Sequence, residues 1–276
     1  MKLIDVNQAK ALESAVFVDA TWCMPNSGQR GRDLYDAARI PGARFFDIDD
    51  VADKSVDLPH MLPSGKVLAA ALGAMGIDQH TPVIAYDQNR FFASARLGWM
   101  LNAFGHEQVY VLDGGLAAWQ AAGEVVETVA PSAALPKDYS ASLNALGVAT
   151  LRNMRTFVTD PHVQILDARP KGRFNGEVAE PRPGLRSGHM PSAICLPFTE
   201  LLQADGKLKD KAALKSAFES HNVVMSGQMV TTCGSGVSAA VINLALAQFG
   251  MEAQLYDGSW SEWGAQADTP VLGAGL

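Results

Sequence analysis

Short apolar runs of strand length alternate along the chain with stretches whose apolar residues recur at helical spacing. Val83-Ile84-Ala85-Tyr86 and Val109-Tyr110-Val111-Leu112 are β-rich runs. Between them, Ala93 to Phe104 has the helical period and stops at Gly105, a residue suited to ending a helix. The second half repeats the pattern with Val237 to Phe249, followed by Gly250. Strand–helix–strand alternation predicts an α/β fold: a mainly parallel sheet with helices on both faces.

The chain also repeats itself once. Phe17-Val18-Asp19-Ala20 is echoed by Ile165-Leu166-Asp167-Ala168, and Arg39-Ile40-Pro41-Gly42-Ala43 by His189-Met190-Pro191-Ser192-Ala193. Thr81 to Asp87 runs parallel to Met229 to Cys233, and Asp113-Gly114 to Asp257-Gly258, each of the latter followed by a tryptophan, Trp119 or Trp263. The offsets Asp19/Asp167, Pro41/Pro191, Asp87/Cys233 and Asp113/Asp257 are 148, 150, 146 and 144. Four landmarks in one order at near-constant spacing predict a duplicated domain, with a period far too long for a solenoid. Residues 126–146, rich in Ala, Ser and Pro, read as the linker between domains 1–125 and 147–276.

Composition narrows the partners. The 276 residues are 48% hydrophobic and 18% charged, enough to bury a core. The net charge of −7, with no long basic run, disfavours nucleic acid. No apolar stretch is long enough for a membrane helix, and the start MKLIDVNQAK does not read as a signal peptide, so a cytoplasmic location is expected. Cys23, Cys195 and Cys233 form no C-x-x-C pair and the six histidines lie far apart, which disfavours a metal site or a disulfide scaffold.

Chemistry concentrates in Cys233-Gly234-Ser235-Gly236-Val237-Ser238-Ala239, between an apolar strand and an amphipathic helix. A cysteine alone reads as a small buried hydrophobe. At a strand's carboxyl end, before a glycine-rich turn and a helix N-terminus, it sits where backbone N–H groups and helix polarity favour a thiolate nucleophile. Gly234-x-Gly236-x-x-Ala239 formally fits a dinucleotide fingerprint, with Asp257 at a plausible distance for a ribose contact. That fingerprint normally opens a domain, whereas only 42 residues follow Gly234 (276 − 234). No Gly-Lys-Ser/Thr follows, which excludes a P-loop. Ala239 stands where the resemblance to cysteine-based phosphatases would require an arginine.

The duplication, the Asp-Gly-x-x-x-x-Trp closings and the cysteine loop resemble the two-domain rhodanese-like sulfurtransferases over nearly the whole chain. Cys233-Gly234-Ser235-Gly236-Val237 is most similar to the loop of the 3-mercaptopyruvate sulfurtransferases; thiosulfate-preferring members typically carry basic residues directly after the cysteine. The resemblance implies tandem rhodanese-like domains and a sulfur transfer that needs no metal or organic cofactor. Asp87 at the cysteine position implies a catalytically silent first domain.

Residue by residue, the resemblance implies Cys233 as nucleophile and Arg173 and Arg182, in Gly172-Arg173-Phe174 and Glu180-Pro181-Arg182, as ligands of the substrate carboxylate and carbonyl. Paired guanidinium donors suit a planar α-keto acid. Gly234, Gly236, Val237 and Ser238 would complete the substrate cradle, Ser238 with a hydroxyl cap on the helix. Asp49 and His60 match segments proposed to face Ser235 across the domain cleft in a proton-handling triad, a role open to histidine near neutral pH. The donor expected is 3-mercaptopyruvate, and the acceptor a thiol, cyanide or a thioredoxin-like protein. Alternatives are a thiosulfate:cyanide sulfurtransferase, a noncatalytic rhodanese-type binding module and, least favoured, a nucleotide-binding protein. Arg186 reads as a surface charge, Cys23 as packing and Cys195 as a buried strand residue.

Overall fold

The computed structural model of the chain describes residues 1–90, 93–129 and 131–273. The strands among the described residues are β1 (Lys2–Ile4), β2 (Val16–Asp19), β3 (Arg44–Phe45), β4 (Val83–Tyr86), β5 (Val109–Leu112), β6 (Val148–Ala149), β7 (Val163–Asp167), β8 (Ala193–Cys195), β9 (Gln228–Thr232) and β10 (Gln254–Tyr256). They form two five-stranded sheets of orders β1-β5-β4-β2-β3 and β6-β10-β9-β7-β8. All eight pairings are parallel. The two orders are the same once β1 is matched to β6, β2 to β7 and so on, which is the duplication expressed as topology.

The chain divides into two compact units. The first comprises residues 1–54, 62–144 and 204–208; the second comprises 55–61, 145–203 and 209–276. In each, the central strands are apolar and buried along nearly their whole length, as a parallel sheet covered on its faces requires: Val83 to Tyr86 in β4 and Met229 to Thr232 in β9. The strand expectations at Val83–Tyr86 and Val109–Leu112 match β4 and β5 residue for residue.

The helix after β4 spans Ala93–Ala103 and the one after β9 spans Ala239–Ala247. Both are buried almost all round, so their apolar composition reflects enclosure rather than one amphipathic stripe. Gly105 and Gly250 follow them at φ +79° and +71°, the left-handed conformation that ends a helix cheaply only at glycine. In the first unit Trp119 joins Tyr35, Ile84, Tyr86 and Leu112 in the core; in the second, Trp260 and Trp263 pack with Met154, Ile165, Val230 and Tyr256. No helix among the described residues is long and apolar enough to cross a membrane.

Candidate active site

Cys233 follows directly on β9 and is only 2% exposed. The segment after β10 holds its loop from behind. The Trp260 N–H donates to the Cys233 carbonyl at 3.0 Å, while the N–H and Oγ of Ser261 donate to the Gly234 carbonyl at 2.9 and 2.7 Å. The Cys233 N–H donates to Ser259 Oγ at 3.2 Å, and that hydroxyl donates to the Tyr256 carbonyl at 2.8 Å. Ser259 holds φ at +49°, a left-handed value that a non-glycine residue keeps only where its surroundings enforce it. Its counterpart in the first unit is Gly115, φ +56°, where a Cβ would stand 2.1 Å from the Asp87 carbonyl oxygen.

The cradle around Cys233 is therefore built from amides beyond the cysteine's own. The N–H groups of Gly234, Ser235, Val237 and Ser238 make no hydrogen bond among the described residues. Gly236 sits at φ +77°, turning the loop as only glycine does readily. Ser238 does not cap the following helix as expected. Its backbone is already helical (φ −73°, ψ −16°), whereas a capping side chain works from an extended backbone, and it makes no capping bond. Ser235 is buried as well.

Arg173 lies against this loop: a Cβ added at Gly234 would meet its Nη2 at 2.9 Å. The guanidinium ends a buried chain of alternating charge. Asp167, the last residue of β7, takes Arg169 Nε at 3.1 and 3.0 Å and Nη2 at 2.7 Å. Arg169 Nη1 donates to Glu180 Oε1 at 2.7 Å, and Glu180 Oε2 accepts from Arg173 Nη2. Arg169 also stacks on the Trp260 ring at 4.2 Å. Burial alone would lower the pKa of Arg169; the two carboxylates outweigh it and hold the guanidinium above its ordinary value.

Arg182 Nη2 lies 3.1 Å from His60 Nε2. A guanidinium only donates, so Nε2 accepts and the ring proton of neutral His60 is on Nδ1. His60 is buried, at φ +59°, within the segment 55–61 that belongs to the second unit. Asp49 belongs to the first unit, where its Oδ2 accepts from the Trp22 indole N–H at 2.8 Å. The second unit thus contains Cys233, Gly234, Ser235, Gly236, Val237, Ser238, Arg173, Arg182 and His60.

Two expectations about other residues are corrected. Arg186 is half-buried, not a surface charge: its guanidinium donates to the carbonyls of Gly264, Trp263 and Thr269 and to Thr269 Oγ1, tying down the chain beyond the last helix. Cys195 does end β8, but it is only half-buried, and burial raises its thiol to about 11. In the first unit Asp87, after β4, is buried, and Ser94 donates to its Oδ2 from N–H and Oγ at 3.1 and 2.9 Å. Among the described residues no three His, Cys, Asp or Glu side chains converge as a metal site would require.

Sequence reasoning missed Glu180 as the link between two arginines, and it missed Ser259 and Ser261 behind the loop. The Asp257-Gly258 landmark pointed to the segment of the last two without revealing what their side chains hold.

Comparison with known proteins gives the family and the fold. The rhodanese-like domain model matches residues 3–122 and again 150–266. The chain is 42% identical over 259 residues to 3-mercaptopyruvate sulfurtransferase of Escherichia coli strain K12, covering 92% of this chain and 90% of that one. It is 37% identical over 275 residues to thiosulfate/3-mercaptopyruvate sulfurtransferase 1, mitochondrial, of Arabidopsis thaliana, covering 92% and 73%. The crystal structure of SseA from Escherichia coli, a 3-mercaptopyruvate sulfotransferase with the rhodanese fold, superposes with a TM-score of 0.84 at 35% identity, over 94% of this chain and 98% of that one.

Proposed function

The chain belongs to the rhodanese-like domain family and is an enzyme, and from that premise we propose that it moves the sulfur of 3-mercaptopyruvate through a Cys233 persulfide to an acceptor, releasing pyruvate. The observation that carries this reading is the convergence on one strand end of a cysteine, several uncommitted loop amides and the Arg173 guanidinium. Together they provide a nucleophile, a cradle for an anionic sulfur and a partner for a carboxylate.

In the proposed sequence, Arg173 and Arg182 orient the donor by its carboxylate and ketone, which removes orientational freedom before the chemistry. The Cys233 thiolate attacks the donor sulfur. A sulfur–sulfur bond forms, the carbon–sulfur bond breaks, and its electron pair leaves as the enolate of pyruvate. A proton then reaches the enolate carbon, with Ser235 and His60, both in the second unit, as carriers. His60 takes up a proton at Nε2 only by releasing Arg182, which couples proton handling to the grip on the donor. The loop amides hold the persulfide until an acceptor thiolate or cyanide attacks its outer sulfur and restores the Cys233 thiolate. The first unit, with Asp87 at the matching position, takes no part in forming the persulfide.

Cys233→Ser tests the assignment: the account expects sulfur transfer to disappear with the circular dichroism spectrum unchanged, and turnover at the normal rate would refute it. Arg182→Gln addresses the donor. A loss in kcat/KM of about tenfold or more for 3-mercaptopyruvate, with a smaller loss for thiosulfate, supports the α-keto acid; equal losses favour thiosulfate:cyanide transfer.

A further inference from the structure

We propose that Glu180 is a positioning residue that holds Arg173 against the backbone of Gly234, and that the missing side chain at 234 is the other half of the device. Together they fix the affinity of the site for the carboxylate of an α-keto acid. The proposal rests on the reading that Arg173 binds the donor.

Glu180 is enclosed. Its side chain is 2% exposed, and both its oxygens are taken by arginines. One of these, Arg169, cannot follow a displacement. Its Nε and Nη2 are committed to Asp167 and to the Gly188 carbonyl at 2.9 Å, and its face lies on Trp260. Glu180 is thereby anchored on one side and transmits that anchorage to Arg173 on the other.

Arg173 is held by only one arm. Its side chain is 18% exposed, and neither Nη1 nor Nε makes a hydrogen bond among the described residues, Nε being buried as well. Nη1, which is not among the buried atoms, is the donor an incoming carboxylate would meet. An arginine free in solvent carries rotamer entropy that a ligand must overcome to order it. Glu180 has met that cost in the free protein, so binding need not.

Gly234 supplies clearance. Its φ is not left-handed, so the backbone would accept a side chain; the obstacle is Arg173, with Nη2 at 2.9 Å and Cζ at 3.8 Å from the position of a Cβ. Any side chain there displaces the guanidinium from the loop. The four charges Asp167, Arg169, Glu180 and Arg173 alternate in sign and sum to zero, so each buried ion is offset by its neighbour. Neutralising Glu180 leaves two arginines with one carboxylate between them and frees the outer one to leave.

The test uses the full chain carrying Glu180→Gln, Gly234→Ala or Arg173→Gln, and the double variant E180Q/R173Q. For E180Q and G234A the expected result is a KM for 3-mercaptopyruvate raised about tenfold with kcat within about threefold, and E180Q adding little once Arg173 is gone. The same substitutions in a Cys233→Ser background should weaken calorimetric binding of pyruvate by a similar factor. A merely structural Glu180 would lower Tm yet leave KM of the folded fraction unchanged, which overturns the proposal. Should E180Q fail to fold, G234A decides, because it removes no charge from the chain of alternating ions: a wild-type KM there overturns the proposal. A wild-type KM in R173Q would overturn the underlying donor reading too, and so identifies which of the two has failed.

Discussion

Asp87 and Cys233 occupy matching strand ends, one a buried carboxyl and the other a buried thiol. Burial raises the Asp87 carboxyl to about 6, against the opposing pull of the Ser94 N–H and hydroxyl. In the unfolded chain an aspartate titrates near ~3.9, so between about pH 4 and 6 the folded state holds a proton that the unfolded state has released. Stability attributable to this group is present below that window and lost as pH rises through it. Asp87→Asn, which keeps an oxygen for Ser94, should stabilise the protein at pH 7 by on the order of 2 kcal/mol and give no gain at pH 4. Denaturant unfolding at the two pH values checks this; equal gains at both would contradict it. At this scale the sequence revealed groups whose chemistry is their own, such as Cys233 in a glycine-rich turn or an arginine in a Gly/Pro-rich loop. It concealed Ser259 and Glu180, whose roles exist only through partners: the Cys233 N–H lies 26 residues from Ser259.

Elements were legible where hydrophobic pattern alone determines them and less so at their ends. The helix predicted from Val237 begins at Ala239, because the preceding residues are spent turning the loop around the cysteine. Residues 131–144 show the limits of composition. Their Ala, Ser and Pro content carries no periodicity, yet they lie in the first unit, fastened by specific bonds. The Lys137 N–H donates to the Gly73 carbonyl at 3.0 Å, the Lys137 ammonium pairs with Asp78 at 2.8 Å, and the Asn144 N–H donates to the Ala103 carbonyl at 2.7 Å. Tyr139 stacks on His106 and lies 3.0 Å from its Nδ1. Because His106 Nε2 donates to the Thr81 carbonyl at 2.8 Å, Nδ1 is the acceptor of the tyrosine hydroxyl. Burial pulls the imidazole below its ordinary pKa and pushes the Tyr139 phenol up to about 12, so both are neutral at pH 7. Tyr139→Ala should cost roughly 1–3 kcal/mol and accelerate proteolysis within 131–144. Cleavage at the wild-type rate would show that the backbone bonds suffice.

For the whole molecule, four landmarks at near-constant offset were enough to anticipate two sheets with one strand order. They did not disclose that residues 204–208 belong to the first unit and 55–61 to the second. Leu208 donates its N–H to Asp113 Oδ1 at 2.8 Å, and His60 meets Arg182, contacts that no local pattern encodes. The duplication is complete in topology and unequal in chemistry. One strand end presents a carboxylate shielded by Ser94, the other a thiol in a loop held by Trp260 and Ser261. The most direct measurement is intact mass spectrometry of the protein after brief exposure to 3-mercaptopyruvate. The account predicts one added sulfur, located on Cys233 and absent from Cys233→Ser, with an equal amount of pyruvate in solution. An unmodified mass, or a sulfur retained on Cys23 or Cys195 in that variant, would contradict it.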